Sequence, residues 1–322
     1  MVLGRAAAVV IHLLLAVLLS SPASASSSRP KDFDSFWMKT KQELAATPLD
    51  ARLTPDPEHS DAEATCFKAD YASLHGILIH ARYCRPARDG KFPAALIVPW
   101  YSKGAISPPL SLAKRGVAAL EFQARGYEVD QSSYPVDNSW YILSGIETPE
   151  TYIYREIVSH ALRGVDFLSV RPEVDARRLA VMGASQGGGV SLLAAGLDPR
   201  IKAVSADFPF LTDWPESLSA PHSPYADVRK YLEEHPERRN AVMKTLSYYD
   251  TLDVADRIRV PVLVQAGLKD WTCPAPGIKK LFDALESRRK RLVERPSADH
   301  SDEGAERWKT AEDFVAASLS AR

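Results

Sequence analysis

The stretch Leu179–Leu193, LAVMGASQGGGVSLL, confines the fold more than any other part of the chain. Leu179-Ala180-Val181-Met182 has the character of a buried strand, and Val190 onward is a small-residue run of helical character. Between them lies Gly183-Ala184-Ser185-Gln186-Gly187-Gly188-Gly189. A strand that turns into a helix this abruptly needs a tight, strained corner. A serine at the apex, with glycines two before and two after, leaves room for neighbouring backbone. The following helix aims its first N–H groups and its positive end at the serine oxygen. Taken alone, G-x-S-x-G is a common pattern. The strand before it and the helix after it make this one a nucleophile elbow.

An elbow of this kind requires a parallel sheet around it, and the chain supplies one. Pro93–Pro99 (PAALIVP) is a continuous apolar run of the kind buried on both faces, and Gly116–Phe122, Ile201–Ser205 and Val260–Ala266 are three further, mostly apolar strands. Thr151–Val170 has helical periodicity, with Ile153, Ile157, Ala161, Val165 and Leu168 on one stripe. Asp32–Ala46, Ala275–Arg288 and Arg307–Leu319 also read as helices, and Arg291–Val293 as a short last strand. Strands alternating with helices imply right-handed crossovers. Ala62–Ala69 and His75–Tyr83 read as an antiparallel pair, and Asp213–Asp256 as a polar, helical excursion. The expected fold is α/β, of the α/β-hydrolase type: a mostly parallel central sheet, an N-terminal antiparallel hairpin edge and flanking helices. Ligands gather at the carboxyl ends of such strands, where Tyr101, Ser185, Asp207 and Asp270 fall.

Composition narrows the setting. Lys+Arg is 40 against Asp+Glu 41, which gives no reason to expect nucleic acid or an anionic membrane as partner. Residues 1–25 read as a signal peptide: Arg5, then an apolar run from Ala6 to Leu19 interrupted only by His12, then Ala23-Ser24-Ala25 as a cleavage site. The apolar run is too short for a comfortable membrane span, and no later stretch is long and apolar enough. The expected product is one domain, 26–322, secreted or periplasmic and free of the membrane after cleavage. Export permits disulfides. Of Cys66, Cys84 and Cys273 at least one stays unpaired. Cys66 and Cys84 are either a bridge between adjacent strands or two buried thiols, and a hairpin turning at Ala72-Ser73 does not set them opposite each other. No Cys or His spacing reads as a metal site, and the chemistry needs no cofactor.

A serine hydroxyl needs an adjacent base. In α/β hydrolases the triad follows the order Ser, Asp or Glu, His. Asp270 directly follows a buried strand, and His300 comes just beyond the short last strand, so acid and base stand on successive strand ends. His12 lies in the leader, and His59, His75, His80 and His160 precede Ser185. His222 and His235 sit in the polar excursion. Asp207 is the rival acid, while Asp299 and Asp302 read as solvated neighbours. The oxyanion of acyl transfer needs N–H donors, each worth about 3 kcal/mol. Gln186, next after the nucleophile, supplies one, and Tyr101 in the loop after an early strand supplies the second. Tyr101, Phe208 and Trp271 are bulky enough to close a small acyl pocket, or are core aromatics.

Several segments together carry a resemblance. DFDSFW at Asp32–Trp37, RGVDFLSVRPEVDARRLAVMGASQGGG at Arg163–Gly189, DFPFL at Asp207–Leu211, TLSYYD at Thr245–Asp250 and GLKDWTCP at Gly267–Pro274 resemble the acetyl xylan esterase and cephalosporin-C deacetylase family of carbohydrate esterases. The resemblance implies an α/β-hydrolase fold, often assembled into homo-oligomers (hexamers), that removes acetyl groups from small sugar esters. It implies Ser185 as nucleophile, Asp270 as acid, His300 as base and Tyr101 at the oxyanion. The family's H-G-Y loop is here Pro99-Trp100-Tyr101, its R-G-Q motif is Arg125-Gly126-Tyr127, and its H-E pair is His300-Ser301. These departures touch the supporting shell and the rim and leave the triad residues in place. Two rival readings remain at this level. A prolyl-oligopeptidase-like peptidase shares the elbow and triad order, although the chain before Thr151 is too short for a propeller. A non-catalytic binding protein on the same fold is the other.

Overall fold

A computed structural model describes residues 29–101, 106–123, 141–301 and 304–320. The expected leader, the Arg125-Gly126-Tyr127 motif and Asp302 lie outside the described residues. The chain runs α1 (Phe33–Ala46), β1 (Arg52–Pro55), β2 (Ala64–Ala72), β3 (Leu78–Pro86), β4 (Phe92–Val98), α2 (Leu110–Lys114) and β5 (Ala118–Phe122). It continues through α3 (Ile153–Ser169), β6 (Val174–Ala184), α4 (Gln186–Leu197), β7 (Ile201–Asp207), α5 (Trp214–Ser217), α6 (Tyr225–Glu234) and α7 (Arg239–Leu246). It closes with β8 (Val262–Gly267), α8 (Ala275–Ala284), β9 (Lys290–Arg295) and α9 (Ala305–Ser320).

The strands form one nine-stranded sheet in the order β1-β2-β3-β5-β4-β6-β7-β8-β9. From β5 to β9 all neighbours are parallel, and β1, β2 and β3 are antiparallel at one edge. This is the α/β-hydrolase fold expected from the apolar runs, and β4 and β8 are buried along their whole length. Alternate residues face opposite sides. Ala94, Leu96, Val98, Val181 and Val204 pack on one side against α1, α3, α4 and α8. Ala95, Ile97, Ala119, Ala180 and Met182 pack on the other against Leu112 of α2 and Ala311, Val315 and Leu319 of α9. Two segments far apart in sequence meet at the base of this core. Phe36 and Trp37 of α1 set their rings edge-on to Tyr249 at 6.2 and 5.6 Å, and the Trp37 indole donates to the Tyr248 carbonyl at 3.2 Å.

The antiparallel edge departs from the expected hairpin in two ways. A third strand, β1, pairs outside β2. The β2–β3 turn is also later than Ala72-Ser73: Ala72 pairs with Leu78, and the chain reverses through His75 (φ 61°) and Gly76 (φ 76°). That register sets Cys66 directly opposite Cys84, and the two form a disulfide with Cα atoms 4.1 Å apart, packed beneath Ala113 of α2. Cys273 is free and buried.

Candidate active site

Ser185 stands between the last residue of β6 and the first of α4, with φ 53° and ψ −119°. A non-glycine residue in this region is strained by roughly 1–3 kcal/mol, and the surroundings hold it there. Its N–H donates to the Asp207 carbonyl at 2.8 Å, and its own carbonyl accepts from Phe210 N at 3.0 Å and Gly189 N at 3.1 Å. The flanking glycines are required by contact. A Cβ on Gly187 would lie 2.1 Å from the Val98 carbonyl oxygen, and one on Gly183 would lie 2.6 Å from that same oxygen. The elbow is thus wedged against the end of β4, the strand that leads to Tyr101.

The Ser185 hydroxyl lies 3.0 Å from His300 Nε2, and His300 Nδ1 lies 2.8 Å from Asp270 Oδ2. With Nε2 accepting from the serine, Nδ1 carries the hydrogen that points at the carboxylate. The Asp270 side chain is fully buried while His300 keeps 29% exposure, so the imidazole reaches solvent and the carboxylate lies behind it. The other Asp270 oxygen accepts from the backbone N–H groups of Thr272 and Cys273, each at 2.8 Å. Backbone bonds from Leu268 N to Arg295 O and from Lys269 N to Ala298 O, both 3.0 Å, lace the turn after β8 to the turn after β9. That lacing brings Asp270 and His300 together.

Gln186 is buried, and its side-chain oxygen accepts from the hydroxyls of Tyr141 at 2.7 Å and Tyr154 at 2.9 Å. Burial pushes the Tyr154 phenol well above its usual range, which keeps it protonated as a donor. The half-buried Tyr101 ring stacks on Tyr141 with centroids 4.3 Å apart. The two residues expected at the oxyanion are therefore joined through Tyr141. The Gln186 side chain faces inward, and its backbone N–H opens the helix at the serine. Tyr141 and Tyr154 are supporting residues that the motifs did not point to. Tyr154 lies beside the apolar stripe of α3, where an aromatic reads as core.

The remaining expectations separate. Asp207, the rival acid, does not reach His300. It is fully buried, its carboxyl accepts from Gln265 Nε2 at 2.7 Å, and burial raises its pKa to about 6. Phe208 is core, with the Arg307 guanidinium 4.7 Å from its ring, whereas Trp271 is 64% exposed at the rim. Ser301 turns back on Asp299, its N–H and hydroxyl meeting the same carboxyl oxygen at 2.8 and 2.7 Å. Cys273 is an addition. Burial, then the charge of Asp270, pushes its thiol well up. Asp270, Cys273 and His300 place three potential metal-ligand atoms within 4.8 Å of one another. Two of those residues are already bonded to each other, so a cation there would compete with the Asp270–His300 contact. Among the described residues no helix is long and apolar enough to cross a membrane.

A strained serine on a strand-to-helix corner, backed by histidine and a buried aspartate on this sheet, has the architecture of an α/β-hydrolase. Comparison with known proteins is more specific. The family model for acetyl xylan esterase (AXE1) matches residues 21–315, and the chain belongs to that family. Its family and the relatives below indicate a carboxylic-ester hydrolase. An acetyl esterase, Axe7A of Xylanibacter ruminicola, is 26% identical over 299 residues, covering 89% of this chain; the chain spans 65% of that relative's length. Acetyl xylan esterase 1 of Thermoanaerobacterium superposes with a TM-score of 0.81 at 27% identity, covering 92% of this chain and 96% of that one. An acetyl xylan esterase of Paenibacillus gives a TM-score of 0.81 at 30% identity, covering 90% and 95%.

Proposed function

We propose that the chain is an exported serine esterase that removes short acyl groups, acetyl foremost, from carbohydrates, with Ser185 as nucleophile, His300 as base and Asp270 as orienting acid. The observation that carries the reading is the continuous relay on a strained corner, Ser185 Oγ to His300 Nε2 at 3.0 Å and His300 Nδ1 to Asp270 Oδ2 at 2.8 Å. Ser185 Oγ attacks the ester carbonyl carbon as His300 Nε2 takes its proton. Asp270 holds the ring and stabilises the imidazolium that forms. The backbone N–H groups of Gln186 and Tyr101 receive the oxyanion. As the tetrahedral intermediate collapses, the sugar oxygen leaves with the proton from His300. Water then attacks the acyl-enzyme with His300 again as base, releasing the acid and restoring the serine.

Support for an acetylated carbohydrate comes from the family and from relatives named acetyl esterase and acetyl xylan esterase. Export from a leader at residues 1–25, a single domain from 26 to 322 and assembly into a homo-oligomer belong to the same proposal. The Cys66–Cys84 bridge fits an oxidising compartment. The deciding experiment compares wild type with Ser185→Ala on p-nitrophenyl acetate and on acetylated xylo-oligosaccharides, alongside fluorophosphonate labelling. Loss of both turnover and labelling is expected. Wild-type turnover by Ser185→Ala would defeat the assignment.

A further inference from the structure

Six large apolar side chains stand exposed among the described residues, and three of them follow the strand ends at the catalytic edge: Trp100, Leu268 and Trp271. Trp100 lies just past β4 and is 45% exposed; Trp271 lies just past β8, beside Asp270, and is 64% exposed. Neither indole makes a hydrogen bond or ring contact among the described residues. Folding gains little from an indole left in water, and exposed apolar surface at a site mouth is a mark of ligand contact. The first of these residues also stands where the resembled H-G-Y loop has glycine.

The sheet order puts the two tryptophans on opposite flanks of the nucleophile. Strands run β4-β6-β7-β8, so Ser185 at the end of β6 is one strand from Trp100 and two from the strand before Trp271. At about 4.8 Å per strand, three spacings set the flanks about 14 Å apart. That span suits a ligand of several linked rings crossing the site, and exceeds what an acetyl group or one sugar fills. An indole offers a flat apolar face and one N–H donor at its edge. A pyranose ring offers the complement, a face of C–H bonds and a rim of hydroxyls. A long acyl chain would instead need an enclosed apolar slot on one side of the serine.

We propose that Trp100 and Trp271 are stacking platforms that hold the sugar rings on either side of the acetylated residue. The proposal rests on the esterase reading and adds two residues that set its preference for linked sugars. The two platforms add binding to linked sugars and nothing to a small ester that reaches only the triad.

The test uses full-length Trp271→Ala, Trp100→Ala and Trp271→Phe proteins. The readout is the ratio of kcat/KM on acetylated xylotetraose to kcat/KM on p-nitrophenyl acetate. Trp271→Ala is expected to lower that ratio about tenfold, mainly through KM, with Trp271→Phe restoring most of it and Trp100→Ala acting in the same direction. In parallel, Ser185→Ala protein is titrated with unacetylated xylotetraose, which is expected to quench tryptophan fluorescence; adding Trp271→Ala is expected to weaken that binding. An unchanged ratio, or an equal loss on both substrates, overturns the proposal. So does a Trp271→Ala protein that loses an oligomeric state in sedimentation velocity with its ratio intact, since the indole then faces a second copy. Failure of the esterase reading shows separately, as wild-type turnover by Ser185→Ala, because the fluorescence titration needs no hydrolysis.

Discussion

Gly187→Ala tests the wedge between the elbow and the end of β4. The new Cβ would stand 2.1 Å from the Val98 carbonyl oxygen, 2.9 Å from its carbon and 3.1 Å from the Pro99 oxygen. These are backbone atoms, so no side chain can swing aside. Reaching even the 3.0 Å lower limit of real Cβ contacts requires α4 and the end of β4 to part by 0.9 Å. The two proposed oxyanion donors sit on those two elements, Gln186 on α4 and Tyr101 three residues beyond Val98. Parting them by this distance breaks the aim of one donor, a loss of about 3 kcal/mol, or roughly a hundredfold or more in kcat. Overpacking adds a stability loss of about 1–3 kcal/mol. The assay is kcat on p-nitrophenyl acetate, normalised to the folded fraction from circular dichroism at 25 °C, with urea unfolding in parallel. A folded variant within threefold of wild-type kcat would refute the argument. So would a loss of activity matched entirely by the unfolded fraction.

Asp270→Asn keeps the shape but removes the charge that orients His300. A fall in kcat of about 10⁴ is expected with little change in fluorescence-monitored unfolding, and a loss under tenfold would favour another acid. Asp207 makes the pH prediction. Burial raises its pKa from 3.8 to about 6, so its contribution to stability is fully present below 3.8 and is lost as pH rises through about 6. Asp207→Asn, which keeps an oxygen for Gln265, is therefore expected to exceed wild type in stability by on the order of 2 kcal/mol at pH 8 and by less at pH 4.5. Urea midpoints at the two pH values check it, and a gap that shrinks with rising pH would contradict the sign. The Cys66–Cys84 bridge closes a loop of sequence separation 18. The double Cys66→Ala, Cys84→Ala variant should lose about 3 kcal/mol, and wild type should approach it in dithiothreitol; equal stability in all three samples would count against the bridge.

Local chemistry made part of this molecule legible in its sequence. The elbow is visible because strand, strained serine, glycines and helix are consecutive. The parallel strands are visible because burial on two faces leaves few polar residues, none in β4 and only Gln265 in β8. β1 was missed for the opposite reason: a short, largely exposed edge strand, R-L-T-P, shows no apolar alternation. The cysteine register was misjudged because it depends on where the chain reverses. The positive-φ turn at His75 and Gly76 moves that point past Ala72-Ser73, and in a hairpin the turn sets every pair that follows.

The site divides along the same line. Order along the chain was enough to nominate Ser185, Asp270 and His300. Asp207 and Asp270 both stand at the ends of apolar strands, and the sheet order adds the physical reason they differ, because β9 lies against β8 and its turn is laced to the turn that carries Asp270. Phe208 and Trp271 are equally apolar by type, yet one is sealed in the core and the other stands at the rim. The Tyr101–Tyr141–Gln186–Tyr154 cluster joins residues from four separate segments. By itself the sequence determined the buried strands, the corner and the chemistry each residue type can perform. Tertiary structure alone decided which of those residues meet, because contact between distant segments is set by strand order, turn register and shared burial, none of which leaves a local pattern.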